Sequence, residues 1–474
     1  MAIARFPPTD LAEVPGYVPT AGIIDECSHC DPAVEALYCD FFESLGGVDF
    51  GTFGAGVQAA IDARGVDFGH ERFRVDPIPR IIGAEEWRSL EAGLTQRVRA
   101  LNAFIADIYG ERAIVAAGVV PERVLAGADH FEPELSGAPL VGVAHAPIAG
   151  LDVVRGADGV LRVLEDNLRT PSGLGYAAAV RTAIDGQLPG YPPSDRAESD
   201  VAVELIRDAL EAARGELEGK TVLLSDGPVN SAWYEHRWLA RRLGIRILTT
   251  ADLYRRGDRV RGWVGGRSVE ISVIYRRTDE DSLVDSSGQS TAIGRLTLTA
   301  RRAGMLSFVN DFGAGVADDK LVHGYVKEMI RFYLGEEPLV PSVETFDLGR
   351  PEVLEQVIDR IDELVVKPRN GQGGAGIVVC AHARREDVDL CIAAIRAHPE
   401  RYVAQPMVAI STHPTVVGGR LVPRHVDLRA FVVCGTRGTS AVPGGLTRVA
   451  FGSGALVVNS SQAGGGKDTW VMRT

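Results

Sequence analysis

The spacing of apolar residues changes along the chain, and each change predicts a different element. Trp87, Leu90, Leu94, Val98, Leu101, Ile105 and Ile108 recur at steps of three and four. That is the stripe of one long amphipathic helix, with Gly110 just past its end. Gln96 and Arg97 lie within this helix and read as structural. From about residue 140 the period falls to two. Segments 150–155 and 160–167 flank the turn cluster Gly156-Ala157-Asp158-Gly159 and predict a hairpin. Residues 201–217 read as helix. Then 221–224, 232–243 and 245–248 read as strand, helix and strand, and 269–275 as a further strand. A helix is predicted from near Asp318 to Leu334. The last third is strand-rich, at 363–367, 376–379, 402–405, 426–433 and 455–459. Residues 1–75 are rich in Gly, Pro and Asp and read as an irregular lead-in with short helices. The alternation indicates an α/β protein in several lobes.

At 474 residues the chain is too long for one ordinary core, so two or three packed units are expected. The hydrophobic fraction of 45% and charged fraction of 24% are those of a globular protein. No stretch reaches the apolar length of a membrane span. The first residues carry one early Arg without an apolar run behind it, so a cytoplasmic location is expected. The formal net charge is −13, and Lys and Arg are scattered, which argues against a nucleic-acid-binding stripe. Of the cysteines, only Cys27 and Cys30 have ligand-like spacing, and no second pair completes a tetrahedral set. Reduced thiols are expected rather than zinc.

The most specific local feature is Lys367-Pro-Arg-Asn-Gly371-Gln-Gly373-Gly374-Ala-Gly376 after the strand-like 363–366. Glycines let backbone amides approach phosphate oxygens, and a nearby ammonium neutralises their charge. The loop fits G-x-G-x-x-G literally, but that fingerprint must open a helix, and Ile377-Val378-Val379 reads as strand. A Walker loop would need Lys-Ser/Thr after its last glycine. A strand–loop–strand flap over phosphates fits better, with a plain hairpin turn as the alternative.

Glu165 and Asn167 stand two apart on a strand and therefore share a face. An even-length hairpin loop places Asp152 on that same face, giving a hard-oxygen site suited to Mg²⁺. Asp427 and Arg429 likewise share a face, either as a fork for phosphate or carboxylate or as a surface ion pair. The tail 459–470 is rich in Gly and small donors, yet Trp470 near its end argues that it packs.

Taken together, these segments resemble the circularly permuted ATP-grasp proteins, of which glutathionylspermidine synthetase is the characterised relative. The resemblance covers roughly 75–474 and rests on several motifs. They are Leu164-Glu-Asp-Asn167 with Pro171-Ser-Gly173, Asn230-Ser-Ala-Trp-Tyr-Glu-His236, Asp318-Asp-Lys320, the 367–376 loop, Gln405-Pro406, Asp427-Leu-Arg429, 444–450 and 459–470. Metal residues preceding the phosphate lysines is the order a circular permutation produces. The resemblance implies Asp152, Glu165 and Asn167 as Mg²⁺ ligands. It implies Lys320 and Lys367 on the ATP phosphates, Gly371, Gly373, Gly374 and Gly376 covering them, and Gln405 bordering adenine. Pro406 stands where an acidic residue is common. Arg169 or Arg429 would orient the phosphoryl group or substrate carboxylate. Glu235, His236, Arg276 and Arg277 could face substrate, with a packed core pair as the alternative for a helix His beside Glu.

Four regions follow. Residues 1–135 form an N-terminal region, and 136–200 the permuted segment with the metal site. Residues 201–315 form a strand–helix–strand domain, and 316–474 the ATP-grasp lobes with the flap. The implied activity is ATP-dependent joining of a small-molecule or peptide carboxylate to an amine through an acyl phosphate. No peptide-cleaving amidase activity is expected. A phosphotransferase and a non-catalytic nucleotide-binding subunit that needs a partner are the alternatives.

Overall fold

The computed structural model describes residues 17–28, 31–69, 71–188, 192–198, 200–279, 282–371, 376–452 and 464–474. Gly373, Gly374, Cys30 and the strand predicted at 455–459 lie outside these residues. Among the described residues there are three larger sheets, of eight, six and four strands.

The eight-stranded sheet gathers segments remote in sequence. Its order is Arg74–Val75, Gly464–Lys467, Leu446–Ala450, Arg420–Gly435, Ile148–Arg155, Leu161–Asn167, with Thr412–Val417 and Gly438–Ala441 also on the long strand. Leu428, Ala430 and Val432 point into the main core with no exposed surface. Alternation therefore sends Asp427 and Arg429 to the other face. The helix Ala84–Tyr109 forms as its stripe predicts, and all seven apolar positions of that stripe are buried.

The second sheet holds the strand–helix–strand unit. Lys220–Ser225 pairs in parallel with Arg246–Leu248 and with Arg267–Arg277, and the helix Trp233–Leu243 makes the crossover. The four-stranded sheet is antiparallel, in the order Phe346–Asp347, Tyr402–Pro406, Leu364–Pro368, Val378–Val379.

Three expectations are corrected. The helix expected from 318 to 334 is four short pieces, Ala314–Asp318, Lys320–His323, Val326–Met329 and the π-helical Ile330–Leu334. The Asp319 carboxylate accepts from the Leu321 amide and starts a new turn, and Gly324 ends it. The irregular lead-in instead contains two 13-residue helices, Pro32–Ser44 and Phe50–Asp62. Their signals were Asp31 before Pro32 and Asp49 accepting from Thr52, both N-caps, with Val34, Tyr38, Phe41 and Phe53, Val57, Ile61 as buried stripes. The hairpin loop spans 156–160, so next to it Arg155 faces Leu161 and Val153 faces Val163, odd with odd. A bulge at the Asp152/Val153 step then shifts the register, and only through it does Asp152 face Glu165.

From Gly464 onward the polar tail packs. Trp470 is fully buried, its indole donates to Asp468 at 2.7 Å, and Arg181 reaches the same carboxylate at 2.6 Å. Lys467 is buried against Asp76. Among the described residues no helix is long and apolar enough to cross a membrane.

Candidate functional site

A cavity of about 700 Å³ opens where the eight-stranded sheet meets the root of the glycine loop. Glu165, Asn167, Arg169, Lys320, Gly371 and Arg429 all line it, brought together from four separate segments. Asp152, Lys367, Gly376 and Gln405 do not.

Glu165 and Asn167 share one face of Leu161–Asn167, opposite Asp152 and Gly150 respectively. The Lys320 ammonium lies 3.0 Å from Glu165 and donates to the Gly371 carbonyl at 2.7 Å. One cation thus ties the acidic strand to the glycine loop. Lys367, on Leu364–Pro368, is pushed down to about 8 by burial and by Lys320, while Glu165 and Asp152 pull it back up. Asp166, between the two cavity residues, points the other way. It takes both Arg97 bonds at 2.6 Å and His323 at 2.7 Å, so a buried network anchors this strand to the long helix and to the turn carrying Lys320.

Asp152 is committed differently. Its oxygens accept from Arg429 at 2.5 and 2.8 Å, and Arg448 lies 2.9 Å away. Arg448 also forks onto Asp427, which lies opposite it across the strands. Burial would raise Asp152, but the guanidiniums of Arg429 and Arg448 outweigh it and hold the carboxyl below its usual range. Any cation at Glu165 and Asn167 would therefore share Asp152 with two arginines. Among the described residues no three or more His, Cys, Asp or Glu side chains cluster as a metal site. A divalent ion here draws on a mixed set, the Glu165 carboxylate with the oxygen of the Asn167 amide, both on the cavity wall. That donor chemistry fits Mg²⁺.

Asp318 and Asp319 each hold an arginine on the cavity wall. Arg169 meets Asp318 at 3.1 Å, and Arg369 meets both Asp319 oxygens at 2.8 Å. Burial pushes Asp318 up to about 6 despite Arg169. Gly315 makes room for this packing, because a Cβ there would come within 2.5 Å of Arg169. Gln405 is buried, donates to Thr345 at 2.9 Å and leaves its carbonyl oxygen unpartnered. An acceptor of that kind is chemically suited to an exocyclic amino group, although the side chain does not line the cavity.

The loop before the helix Leu174–Asp185 is shaped from behind. Gly173 adopts φ 145°, which favours glycine. Its amide and that of Gly175 donate to Glu235 at 2.8 and 2.9 Å. Arg277 clamps Glu235, the Pro171 carbonyl and the Ser172 hydroxyl. Glu235, His236, Arg276 and Arg277 are all buried and none lines the cavity, which favours the packed-pair reading of His236 beside Glu235 over a substrate-facing one. His236 bonds Ser225 at 2.8 Å and is held neutral by burial, down to about 2. Arg276 stacks on Phe312. Sequence reasoning missed Arg369 and Arg448. Both sit inside recognised motifs, and only the packing shows that they reach the cavity.

Comparison with known proteins adds four findings. Residues 79–450 match the family described as circularly permuted ATP-grasp type 2. A protein of Frankia casuarinae named a candidate glutamate–cysteine ligase is 42% identical over 409 residues, covering 85% of this chain and 47% of that one. The chain thus spans about half the length of that relative. An uncharacterised protein of Mycobacterium tuberculosis is 41% identical over 425 residues, covering 88% of this chain and 77% of that one. A solved glutathione synthetase-like effector of Globodera pallida superposes with a TM-score of 0.58 at 12% identity, covering 89% of this chain and 96% of that one. It shares the fold.

Proposed function

The chain belongs to the circularly permuted ATP-grasp type 2 family, and on that premise we propose that it joins a carboxylate to an amine at the expense of ATP. The observation that carries this reading is Lys320 bridging Glu165 and the Gly371 carbonyl on the floor of an arginine-lined cavity. Ligase names among the relatives support it.

In this reading Lys320 and Lys367 hold the phosphates, and Glu165 and Asn167, with Asp152 behind them, hold Mg²⁺. Mg²⁺ held there would neutralise phosphate charge. Arg429, fixed by Asp152, and Arg169, fixed by Asp318, orient the substrate carboxylate. A carboxylate oxygen attacks the γ-phosphorus, the bond to the bridging oxygen breaks, and ADP leaves. The amine nitrogen then attacks the acyl carbon, the C–O bond to phosphate breaks, and the amine's extra proton passes to solvent. Gln405 borders the adenine.

Calorimetric titration with ATP tests the metal assignment. Mg²⁺ is expected to strengthen binding to the wild-type chain, and Glu165→Gln to remove that enhancement without loss of fold, since Glu165 is one-third exposed. Equal metal dependence in the two proteins would defeat it.

Lys367 provides a pH signature. Folding disfavours its charged form, so its contribution destabilises the protein below about pH 8, and that penalty is relieved as pH rises from there toward 10.5. Phosphates favour the charged form, so nucleotide binding near pH 8 is expected to take up a proton, and affinity to fall as pH rises through about 8. Titrations in buffers of differing ionisation enthalpy measure the uptake. Lys367→Arg should abolish it, because a guanidinium stays charged throughout.

A further inference from the structure

The cavity extends beyond the groups used so far. Its outer wall is the short hairpin Asp67–Phe68 with Glu71–Arg72, which precedes the stretch matched by the family. The Gly69 amide donates to the Ser231 carbonyl at 2.9 Å, fixing the hairpin against the loop before Trp233–Leu243. Behind it stand Phe73 and Tyr176, both buried, with ring centroids 4.9 Å apart. Half-buried Phe68 meets Tyr176 edge-on at 5.8 Å. The Tyr176 hydroxyl donates to the Asp67 carbonyl at 3.0 Å and locks this aromatic wall to the hairpin.

The carboxylates of the cavity divide into two groups. Asp318 and Asp319 each answer an arginine, and Glu165 answers Lys320. Glu71 and Asp129 also line the cavity, are exposed, and make no ion pair among the described residues. Glu71 is the one carried by the aromatic hairpin. An uncommitted carboxylate beside an aromatic wall is the chemistry that recognises an organic cation, by charge pairing and by cation–π contact.

We propose that the paired strands Asp67–Phe68 and Glu71–Arg72, with Phe68 and Glu71 as the specificity residues, bind the amine substrate, and that this substrate is an ammonium on an aromatic or bulky apolar body. The proposal rests on the ligase reading and extends it. The inner, arginine-rich end takes the carboxylate and phosphates, and the hairpin end takes the nucleophile. The bound ammonium gives up one proton to solvent before its nitrogen attacks the acyl carbon, and the second proton leaves as the C–O bond to phosphate breaks.

The test uses the full chain saturated with Mg²⁺ and a non-hydrolysable ATP analogue, titrated with phenethylamine, phenylethanol and butylamine. Phenethylamine is expected to bind about tenfold more tightly than either comparator. Glu71→Gln should erase its advantage over the alcohol, and Phe68→Ala its advantage over butylamine. Both variants should keep wild-type affinity for the analogue. Glu71→Gln should keep wild-type melting because its side chain is exposed, and Phe68→Ala should stay folded with a small loss from its half-buried ring. Equal binding of the three probes overturns the proposal. So does discrimination that survives Glu71→Gln but disappears in Asp129→Asn, which would move the amine to the opposite wall. Failure of the wild-type chain to bind the nucleotide analogue would count instead against the ligase reading beneath it.

Discussion

Replacing Lys367 by alanine is expected to lower ATP-dependent activation of a productive carboxylate by about 10²–10³-fold, the usual effect of removing one preorganised group from a developing charge. The strand Leu364–Pro368 buries Leu364 and Val366 in the core beneath the four-stranded sheet. Alternation therefore turns Lys367 to the other face, where the fields of Glu165, Lys320 and Asp152 reach it. Its stem is fixed by the sheet, with Val403 as its antiparallel neighbour. Burial lowers it to about 8, leaving it mostly charged at neutral pH yet poorly solvated, so an added phosphate gains more from it than from an exposed lysine. Hydroxylamine gives the readout, since it intercepts an acyl phosphate as a hydroxamate. Wild-type chain supplied with a productive carboxylate should form hydroxamate only with ATP, and Lys367→Ala should form almost none. Hydroxamate formation retained within a few-fold would remove Lys367 from the phosphate grip. ADP release with a stable phosphorylated product and no hydroxamate would replace the ligase by a phosphotransferase.

The second large effect is on stability. Asp152→Ala is expected to cost about 3–5 kcal/mol, as breaking a buried ion pair does. For a chain of 474 residues the melting temperature should fall by roughly 3–5 °C. Asp152 is 1% exposed and balances Arg429, while Arg448 is shared between it and Asp427. Without it, two guanidiniums in the middle of the large sheet share a single carboxylate. Glu165, directly opposite Asp152 in register, should show almost no such loss when changed to Gln, because water reaches it. Thermal unfolding of the two variants side by side measures the contrast. Equal melting temperatures would show that Asp152 is not the keystone of the arginine pair.

Much of the molecule was legible in the sequence because it is encoded locally. The stripe of Ala84–Tyr109, the hairpin carrying Glu165 and Asn167, and the strand that presents Asp427 and Arg429 all follow from period and side-chain alternation. The permuted order of acidic strand and phosphate lysines is likewise a property of the chain alone. Local capping carried more than the weak periodicity of the first 75 residues suggested, since Asp31 and Asp49 mark both early helices.

Other features depended on contacts between distant segments. No local pattern says that Asp152 spends its charge on Arg429 and Arg448, or that Asp318 and Asp319 serve Arg169 and Arg369. These partners lie on strands and loops that meet only when the sheet closes, and a buried carboxylate takes whichever cation folding brings to it. Glu235 and Arg277 look like substrate groups in the sequence, but packing makes them the clamp on the Gly173 loop. The sequence by itself determined which residue types stand on which face of each element. The tertiary structure decided which of those charges cancel one another, and which, like Glu71, remain uncommitted, because pairing depends on distance and burial rather than on spacing along the chain.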